Sequence, residues 1–343
     1  MSIFTRQFSS ALFLSVSILA GCGGSSEVPN PAFGSGVPQS APNPGGGLPQ
    51  TEPNNEPILN LLDIAAVREI AVDPGQQPLE SGEWTNFSVD STWNWQLKGA
   101  PDAVNSSAVN LEYDADVYVV DMFAQLVSDS ITPLKDIGRK VVCYFSAGTY
   151  EPWRPDRELF NELTLGNPHN AFPNEQWLDI NDPFVAKLMA NRMDMAVALG
   201  CDGVELDNVD GWIPSANSGF TFTLDDQLLF NKKLANEAHK RGLAVALKNN
   251  VEMIVELADW FDLVINEECF QYNECDGYLP MIEKGKPVFN AEYKLFGTNN
   301  EVLLPVIDYP VERAALCARS LELGFQTLFL PIELDGTFRI SCR

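Results

Sequence analysis

Carboxylate side chains recur directly after short apolar segments of the chain, with aromatic side chains among them. Asp121, Asp207 and Glu267 each stand at the end of such a segment. Two carboxyl groups flanking a glycosidic bond can hydrolyse it: one of raised pKa protonates the leaving oxygen, and the other acts as nucleophile or base. Aromatic faces and amide groups bind the C–H surfaces and hydroxyls of sugars. The residue types therefore favour a site that cleaves carbohydrate.

Other side chains at the same positions could bind sugar hydroxyls or amino groups, or stack on a sugar ring. Those for hydrogen bonds are Asp121, Asn208, Asp210, Lys248, Asn249 and Glu292, and those for stacking are Tyr144, Trp153 and Tyr293. Each could instead form an ion pair at the rim of the fold or pack in its core. Lys248 beside carboxylates either supports the fold or lowers the pKa of the nucleophile and keeps it ionised.

Eight apolar segments rich in Val, Ile, Leu and Phe predict parallel strands buried on both faces. They are residues 93–97, 116–123, 140–146, 203–207, 244–248, 263–266, 287–292 and 326–331. Helical spacing predicts helices at 183–199, 224–241, 251–260 and 311–323. Eight strands alternating with helices over about 250 residues predict an α/β fold of the (β/α)8 TIM-barrel type, whose active site lies at the C-terminal strand ends. A doubly wound open sheet, the rival, usually has fewer strands, and its Gly-rich phosphate loop is missing.

Several segments, taken in order, resemble glycoside hydrolase family 114. They are residues 144–148 with Glu151, Trp153 and Arg154, then 203–210, 247–250, 266–270, 272–275, and 286–289 with Glu292 and Tyr293. The resemblance runs unbroken from about Trp93 to Lys294. Members of this family are known as endo-α-1,4-polygalactosaminidases with a β/α barrel fold. The resemblance therefore implies cleavage of α-1,4-linked galactosamine polymers with retention of configuration.

The resemblance also implies a catalytic Asp after the fourth strand and a catalytic Glu after the sixth. These are Asp207, assigned as the nucleophile, and Glu267, assigned as the general acid/base; the division of roles follows related retaining α-glycosidase barrels. Glu268 is the rival for Glu267, and the two face opposite sides if the strand continues. In a retaining enzyme the two carboxyl groups should lie about 5–5.5 Å apart.

Composition excludes several other classes of protein. The chain has 22 Lys and Arg against 47 Asp and Glu, which disfavours nucleic acid and suits a cationic galactosamine polymer. Its two His, His169 and His239, adjoin no nucleophile motif, and no zinc-type cluster is present, so we expect neither metal nor cofactor. We expect a monomer. A non-catalytic polysaccharide-binding surface lipoprotein and a hydrolase of another α-linked glycan stay open as alternatives.

The N-terminal part predicts export. Residues 1–21 combine Arg6 with an apolar run too short to span a bilayer comfortably, which is typical of a signal peptide. The sequence Leu19-Ala20-Gly21-Cys22 resembles a lipobox, which implies lipidation of Cys22 and anchoring to a bacterial membrane, expected to be the outer one. An ordinary signal peptide or a membrane-anchored helix is the alternative. Residues 22–57 read as a Pro/Gly-rich linker, 58–90 as an extension packing on the barrel, and 91–343 as the barrel.

Without Cys22, six cysteines remain, an even number compatible with disulfides in an exported protein. Six cysteines allow 15 pairings, and the sequence does not choose among them. Cys269 with Cys275 would close a local loop, and Cys317 with Cys342 would tie down the C-terminus.

Overall fold

The structure is a computed structural model that describes residues 63–79, 82–98, 109–297, 299 and 301–343. The predicted signal peptide, the lipidation site Cys22 and the linker to residue 57 lie outside the described residues. Within the described part of the chain, no helix is both long and apolar enough to cross a membrane.

The main sheet contains eight parallel strands that follow one another in chain order, and a short antiparallel strand joins its end. Its strands are β1 Trp93–Gln96, β2 Val117–Asp121, β3 Lys140–Ser146, β7 Gly203–Asp207, β8 Ala244–Lys248, β9 Leu263–Glu267, β10 Val288–Glu292, β13 Gln326–Phe329 and β14 Ile340–Ser341. All eight predicted strands are present, with ends moved by up to two residues. The curled sheet with its helices forms a (β/α)8 TIM-like barrel, as predicted.

Shorter strands lie in the connections. They are β4 Thr149–Tyr150, β5 Leu165–Pro168 and β6 Gln176–Leu178 in one sheet, and β11 Leu295–Phe296 and β12 Val302–Leu303 in another. The α-helices are α1 Ile64–Glu69, α2 Ile131–Asp136, α3 Pro183–Leu199, α4 Leu224–Lys240, α5 Ile254–Leu257, α6 Cys269–Tyr272, α7 Leu279–Glu283 and α8 Pro310–Leu323.

The helices predicted over 183–199, 224–241 and 311–323 agree with the observed ones within one residue, but the helix predicted over 251–260 does not. The helix predicted over 251–260 is a 3-10 turn, Val251–Met253, followed by the single turn of α5. Asn250 holds a left-handed φ of 59°, and β9 begins at Leu263, so little chain remains for a longer helix. The helix predicted over 224–241 ends at Lys240, because Arg241 leaves helical geometry and Gly242 follows with a φ of 72°.

Local sequence signals set the ends of the longer helices. The Asp182 carboxylate accepts a hydrogen bond from Phe184 N at 2.8 Å, which caps α3 ahead of Pro183. Gly200 and Gly324 end α3 and α8 with φ values of 85° and 78°, a conformation that glycine adopts without a Cβ clash.

The core has two layers, one inside the barrel and one between the sheet and the helices. Side chains alternate along each strand, so residues two apart share a face. Val119, Val142, Ala246 and Ile265 belong to the inner cluster, whereas Val120, Cys143 and Leu247 belong to the outer one. The Trp93 ring of β1 stacks on Phe289 of β10 at 5.0 Å, which joins distant strands through the interior.

Contacts near the C-terminus and three disulfides fix the ends of the barrel. Leu97 N donates to Leu334 O, and the Arg339 guanidinium donates to Trp93 O. Disulfides join Cys269 to Cys275 and Cys317 to Cys342, two of the pairings that the sequence left open, and the third joins Cys143 to Cys201. Before β1, Trp84 stacks on His239 of α4 at 3.9 Å, and Phe87 is buried in the inner cluster.

Candidate active site

Strand alternation brings a set of polar side chains to the C-terminal mouth of the barrel. Each of them is separated by an even number of residues from an inward-facing residue of the same strand. Its side chain therefore points into the barrel rather than toward the helices. These side chains are Asp121 on β2, Tyr144 on β3, Asp207 on β7, Lys248 on β8, Glu267 on β9 and Tyr293 just after β10. The predicted pair, distant in sequence, thus lies at one mouth.

Lys248 bridges the two predicted catalytic carboxylates. Its ammonium group donates to Asp207 Oδ1 at 3.1 Å and lies 2.8 Å from Glu267 Oε2. Its side chain is 7% exposed, against 18% for Asp207 and 29% for Glu267, so the cation is buried beneath two accessible carboxylates. Burial alone would lower the pKa of Lys248, but the charges of Asp207 and Glu267 outweigh it, and its pKa is raised.

Asp207 is held in its ionised form by several donors. Tyr144 Oη donates to Asp207 Oδ2 at 2.8 Å, and the backbone N–H of Asn208 donates to Oδ1 at 2.8 Å. Burial would raise the pKa of Asp207, but the Lys248 charge and these hydrogen bonds prevail, so its pKa is lowered. A carboxylate that stays charged beside a cleft is suited to act as a nucleophile.

Glu267 occupies a different set of contacts on the facing strand. Tyr293 Oη donates to Glu267 Oε1, and the Glu267 backbone N–H donates to the side-chain oxygen of Asn249 at 2.9 Å. The rival Glu268 follows the last residue of β9 and has the left-handed conformation, with φ 58°, and its carboxylate lies 3.3 Å from Lys294. The structure therefore puts Glu267, and not Glu268, in contact with Lys248.

A third carboxyl group, Glu205, lies beneath the pair. It precedes Asp207 by two residues on β7, is fully buried, and accepts from Trp95 Nε1 at 3.2 Å. Burial raises the pKa of Glu205 well above its usual range, although the Lys248 charge opposes this. We had not predicted this residue, yet its signal is in the sequence, because a carboxylate two positions before Asp207 must share its face.

An arginine cluster supports the other side of the mouth. Arg154 pairs with Asp121 at 2.8 Å and with Glu151 at 2.7 Å. Arg192 of α3 is fully buried, pairs with Asp156 at 2.7 Å, and donates to the backbone oxygen of Ser146 at 2.6 Å. These ion pairs hold the segment after β3 against the barrel, so Asp121 has a structural partner at the mouth.

The remaining predicted residues take varied places. Asn208 has a left-handed φ of 58°, and its amide donates to Ser146 Oγ at 2.9 Å. Trp153 is 52% exposed near the mouth, and Asp210 is partly exposed in the turn after β7. Glu292 lies on the opposite face of β10 from the inward-facing Ala291, so the structure does not bring its carboxylate to the Asp207–Glu267 pair.

The β5–β6 hairpin adds residues that we had not predicted to belong to the site. His169, between the two strands, lies close enough to Asp207 and Lys248 for both charges to act on its pKa, which burial lowers. Glu175, just before β6, accepts from Thr149 Oγ1 at 2.7 Å. Burial raises the pKa of Glu175 to about 7, and the charges of Glu151 and Asp207 add to the rise. No strand pattern marks this loop as part of the site.

A TIM-like barrel with two close carboxylates at its C-terminal mouth has the architecture of a glycoside hydrolase. The model of glycoside-hydrolase family GH114 matches residues 75–343. The chain belongs to this family, which confirms the resemblance seen in the sequence, and it is an O-glycosyl hydrolase.

Solved structures agree with this assignment. The chain is similar to Aspergillus fumigatus Ega3, solved in complex with galactosamine, at 35% identity over 76% of this chain and 98% of that chain, with a TM-score of 0.65. The glycoside hydrolase domain of PelA from Pseudomonas aeruginosa shares the fold, at 17% identity over 73% of this chain and 98% of that chain, with a TM-score of 0.52. Among curated proteins, none gives a significant match.

The bridging role of Lys248 leads to a prediction about pH dependence. In Lys248→Met, Asp207 loses the cation that lowers its pKa, so its pKa should rise. Asp207, the predicted nucleophile, would then be protonated at a higher pH, and the acid limb of the kcat/KM profile should move up by about one pH unit or more. The measurement is kcat/KM against pH on a polymeric substrate.

The control is Lys284→Met, which removes an exposed cation at the opposite ends of the strands and should leave the pH of the acid limb unchanged. An unmoved limb in Lys248→Met would contradict the role given to Lys248.

Proposed function

We propose that this protein is a retaining endo-α-1,4-polygalactosaminidase in which Asp207 and Glu267 form the catalytic pair. The observation that carries the proposal is the Lys248 bridge. Its contacts of 3.1 Å and 2.8 Å add to about 5.9 Å, so the two bridged carboxylate oxygens lie no further apart than that. Retaining enzymes have a separation of about 5–5.5 Å and inverting ones of about 6.5–9.5 Å, so this bound supports retention.

The environment of Asp207 supports its role as the nucleophile, which leaves the acid/base role to Glu267. Asp207, kept ionised, would attack the anomeric carbon while Glu267 gives a proton to the glycosidic oxygen of the leaving chain. The bond from the anomeric carbon to that oxygen breaks, and an ester to Asp207 forms. Glu267 would then take a proton from water, whose oxygen attacks the anomeric carbon and releases Asp207 as a carboxylate. Two inversions give net retention.

Charge and similarity support a galactosamine polymer as the substrate. A free galactosamine unit carries an ammonium group, and a chain with a formal net charge of −25 attracts a cationic polymer. Ega3, at 35% identity, was solved with galactosamine bound. A second candidate, hydrolysis of another α-linked glycan by the same carboxylates, is tested by the same assay with a panel of glycans.

The first test removes the proposed acid/base. Glu267→Gln keeps the shape of the side chain but cannot transfer the proton, so kcat should fall by about 10²–10⁴-fold while oligomer binding persists. Reducing-end release from an α-1,4-galactosamine polymer measures turnover, and titration with a short oligomer measures binding. Glu268→Gln, one residue away and paired with Lys294, is the matched control and should keep its turnover.

The outcomes separate the alternatives. Near-normal turnover in Glu267→Gln, together with loss in Glu268→Gln, would transfer the acid role to Glu268. Binding without any reducing-end release by the unmutated protein would favour a non-catalytic polysaccharide-binding surface lipoprotein. Faster release from an unrelated glycan would overturn the proposed substrate.

We also propose that the protein is exported and anchored to a bacterial membrane, the outer one where there are two, through a lipid on Cys22. The chain has seven cysteines, and the six others pair in three disulfides, a pattern typical of an oxidising compartment outside the cytoplasm. This pairing leaves Cys22, at the end of the lipobox-like sequence, as the remaining thiol.

Replacing this thiol tests the anchor. In Cys22→Ser, the lipidation site is lost, so the full-length protein expressed in a bacterium should no longer take up a radioactive fatty acid. The measurement is the label incorporated by the variant and by the unmutated chain, together with the share of the unmutated chain in washed membranes. Unlabelled unmutated protein, or a Cys22→Ser variant that still takes up the label, would contradict the proposal.

A further inference from the structure

Most deeply buried carboxylates in the described residues contact a basic side chain. Asp121 and Glu151 share Arg154, Asp156 pairs with Arg192, and Glu237 pairs with Arg241 and Lys240. Such pairing is expected, because an ionised carboxylate taken out of water without a cation is strongly disfavoured.

Three buried carboxyl groups of the described chain are exceptions, with no ion pair to a basic side chain. They are Glu175, Glu205 and Glu292, which are 9%, 0% and 1% exposed. Glu205 is enclosed beneath Lys248, and Glu292 lies on the outward face of β10, where it accepts from Phe270 N at 3.1 Å. Glu175 alone of the three combines some accessibility with a place near the mouth of the barrel.

Hydrogen bonds connect Glu175 to the proposed nucleophile. Its carboxylate accepts from Thr149 Oγ1 at 2.7 Å, and Thr149 Oγ1 accepts from the Asn208 amide at 3.3 Å. The backbone N–H of Asn208 in turn donates to Asp207 Oδ1 at 2.8 Å. The Glu175 carboxyl group therefore lies in the same polar network as Asp207 without sharing its cation.

Backbone hydrogen bonds and aromatic packing hold the hairpin that carries Glu175 in place. Glu175 N donates to Phe172 O at 2.8 Å, and His169 N donates to Glu175 O at 2.9 Å. The His169 ring packs between Phe172 and Trp177, with ring centroids 5.5 Å and 5.1 Å away. The side chain is thus presented from a fixed backbone, as a recognition residue requires.

We propose that Glu175 is a specificity-determining residue that binds the ammonium group of a galactosamine unit seated beside Asp207. No basic side chain of the described residues forms an ion pair with the Glu175 carboxylate, and the ammonium group of the substrate would supply that cation. An N-acetylated unit lacks that charge and cannot form the ion pair. This inference rests on the proposed function, since it names the residue by which the same cleft would select free amino sugars.

Ionisation of Glu175 couples this recognition to pH. With a pKa raised to about 7, Glu175 is partly protonated near neutrality in the free protein. The charged groups that act on it are Glu151 and Asp207, which raise its pKa, and Arg154, which lowers it. The ion pair needs the Glu175 carboxylate and a protonated substrate amine together, and an amine next to electronegative groups loses its proton at about pH 8 or below. KM for a free-amine substrate should therefore fall as the pH rises from 6 to 7, where Glu175 ionises and the amine is still mostly charged.

The test compares Glu175→Gln with the unmutated protein on two α-1,4-linked oligomers of one length, one with free amines and one fully N-acetylated. Glutamine keeps the acceptor for Thr149 and removes the charge. The ratio of kcat/KM for the free-amine oligomer to that for the acetylated one should fall about tenfold, mainly through KM. The fall of KM between pH 6 and 7 should also disappear in the variant.

The control is Glu256→Gln, which removes the same charge from the exposed surface of α5. It should leave the ratio unchanged. Hydrolysis of the oligomers with the same ratio in Glu175→Gln as in the unmutated protein would overturn this inference and leave the proposed function standing. Absence of hydrolysis of both oligomers by the unmutated protein would instead overturn the proposed function. Binding of the two oligomers to the unmutated protein and to Glu175→Gln would then decide the role of Glu175: a preference for the free-amine oligomer that is lost in the variant supports it, and an unchanged preference overturns it.

Discussion

One ammonium group, that of Lys248, lies between two carboxylates that are 60 residues apart in sequence and adjacent at the barrel mouth. Two carboxylates this close would repel each other, and one of them would take up a proton if nothing intervened. The buried cation lets Asp207 stay ionised at short range from Glu267. Everything proposed about the reaction depends on this contact, because it keeps the two bridged carboxylate oxygens at most about 5.9 Å apart, closer than the pair of an inverting enzyme.

The rest of the site can be understood as support for that contact. Glu205 lies under Lys248, but burial raises its pKa and favours its neutral form, so the lysine charge remains available to the two carboxylates above. Tyr144 and Tyr293 each hold one of these carboxylates from the neighbouring strands. Arg154 and Arg192 form ion pairs with the carboxylates after β3. Those carboxylates therefore have cations of their own and do not depend on Lys248.

The sequence predicts the strands and the inward-facing acids well, because both follow from short-range rules. Apolar runs mark buried parallel strands, and the ends of such strands meet at one mouth, so Asp207, Lys248 and Glu267 could be placed together before the structure was known. Glu292 shows where this reasoning fails. It also ends a strand, but it directly follows the inward-facing Ala291, so its side chain faces the helices. Whether a residue is an odd or an even number of positions from an inward-facing neighbour is therefore more informative than its place at the strand end. Glu175 could not have been predicted, since a loop carries no periodicity and its proximity to Asp207 depends on tertiary packing.

The proposed reaction requires Asp207 to form a covalent bond to the substrate beside Lys248 and Glu267. Mass spectrometry of the Glu267→Gln variant can detect this bond after reaction with an α-galactosaminide whose leaving group departs without acid assistance. The sugar should then be transferred to the enzyme and stay there, because no base activates water for its release. The expected result is a glycosyl adduct on the peptide that contains Asp207. Release of the leaving group with no adduct on that peptide, or an adduct on another carboxylate, would contradict the proposed role of Asp207.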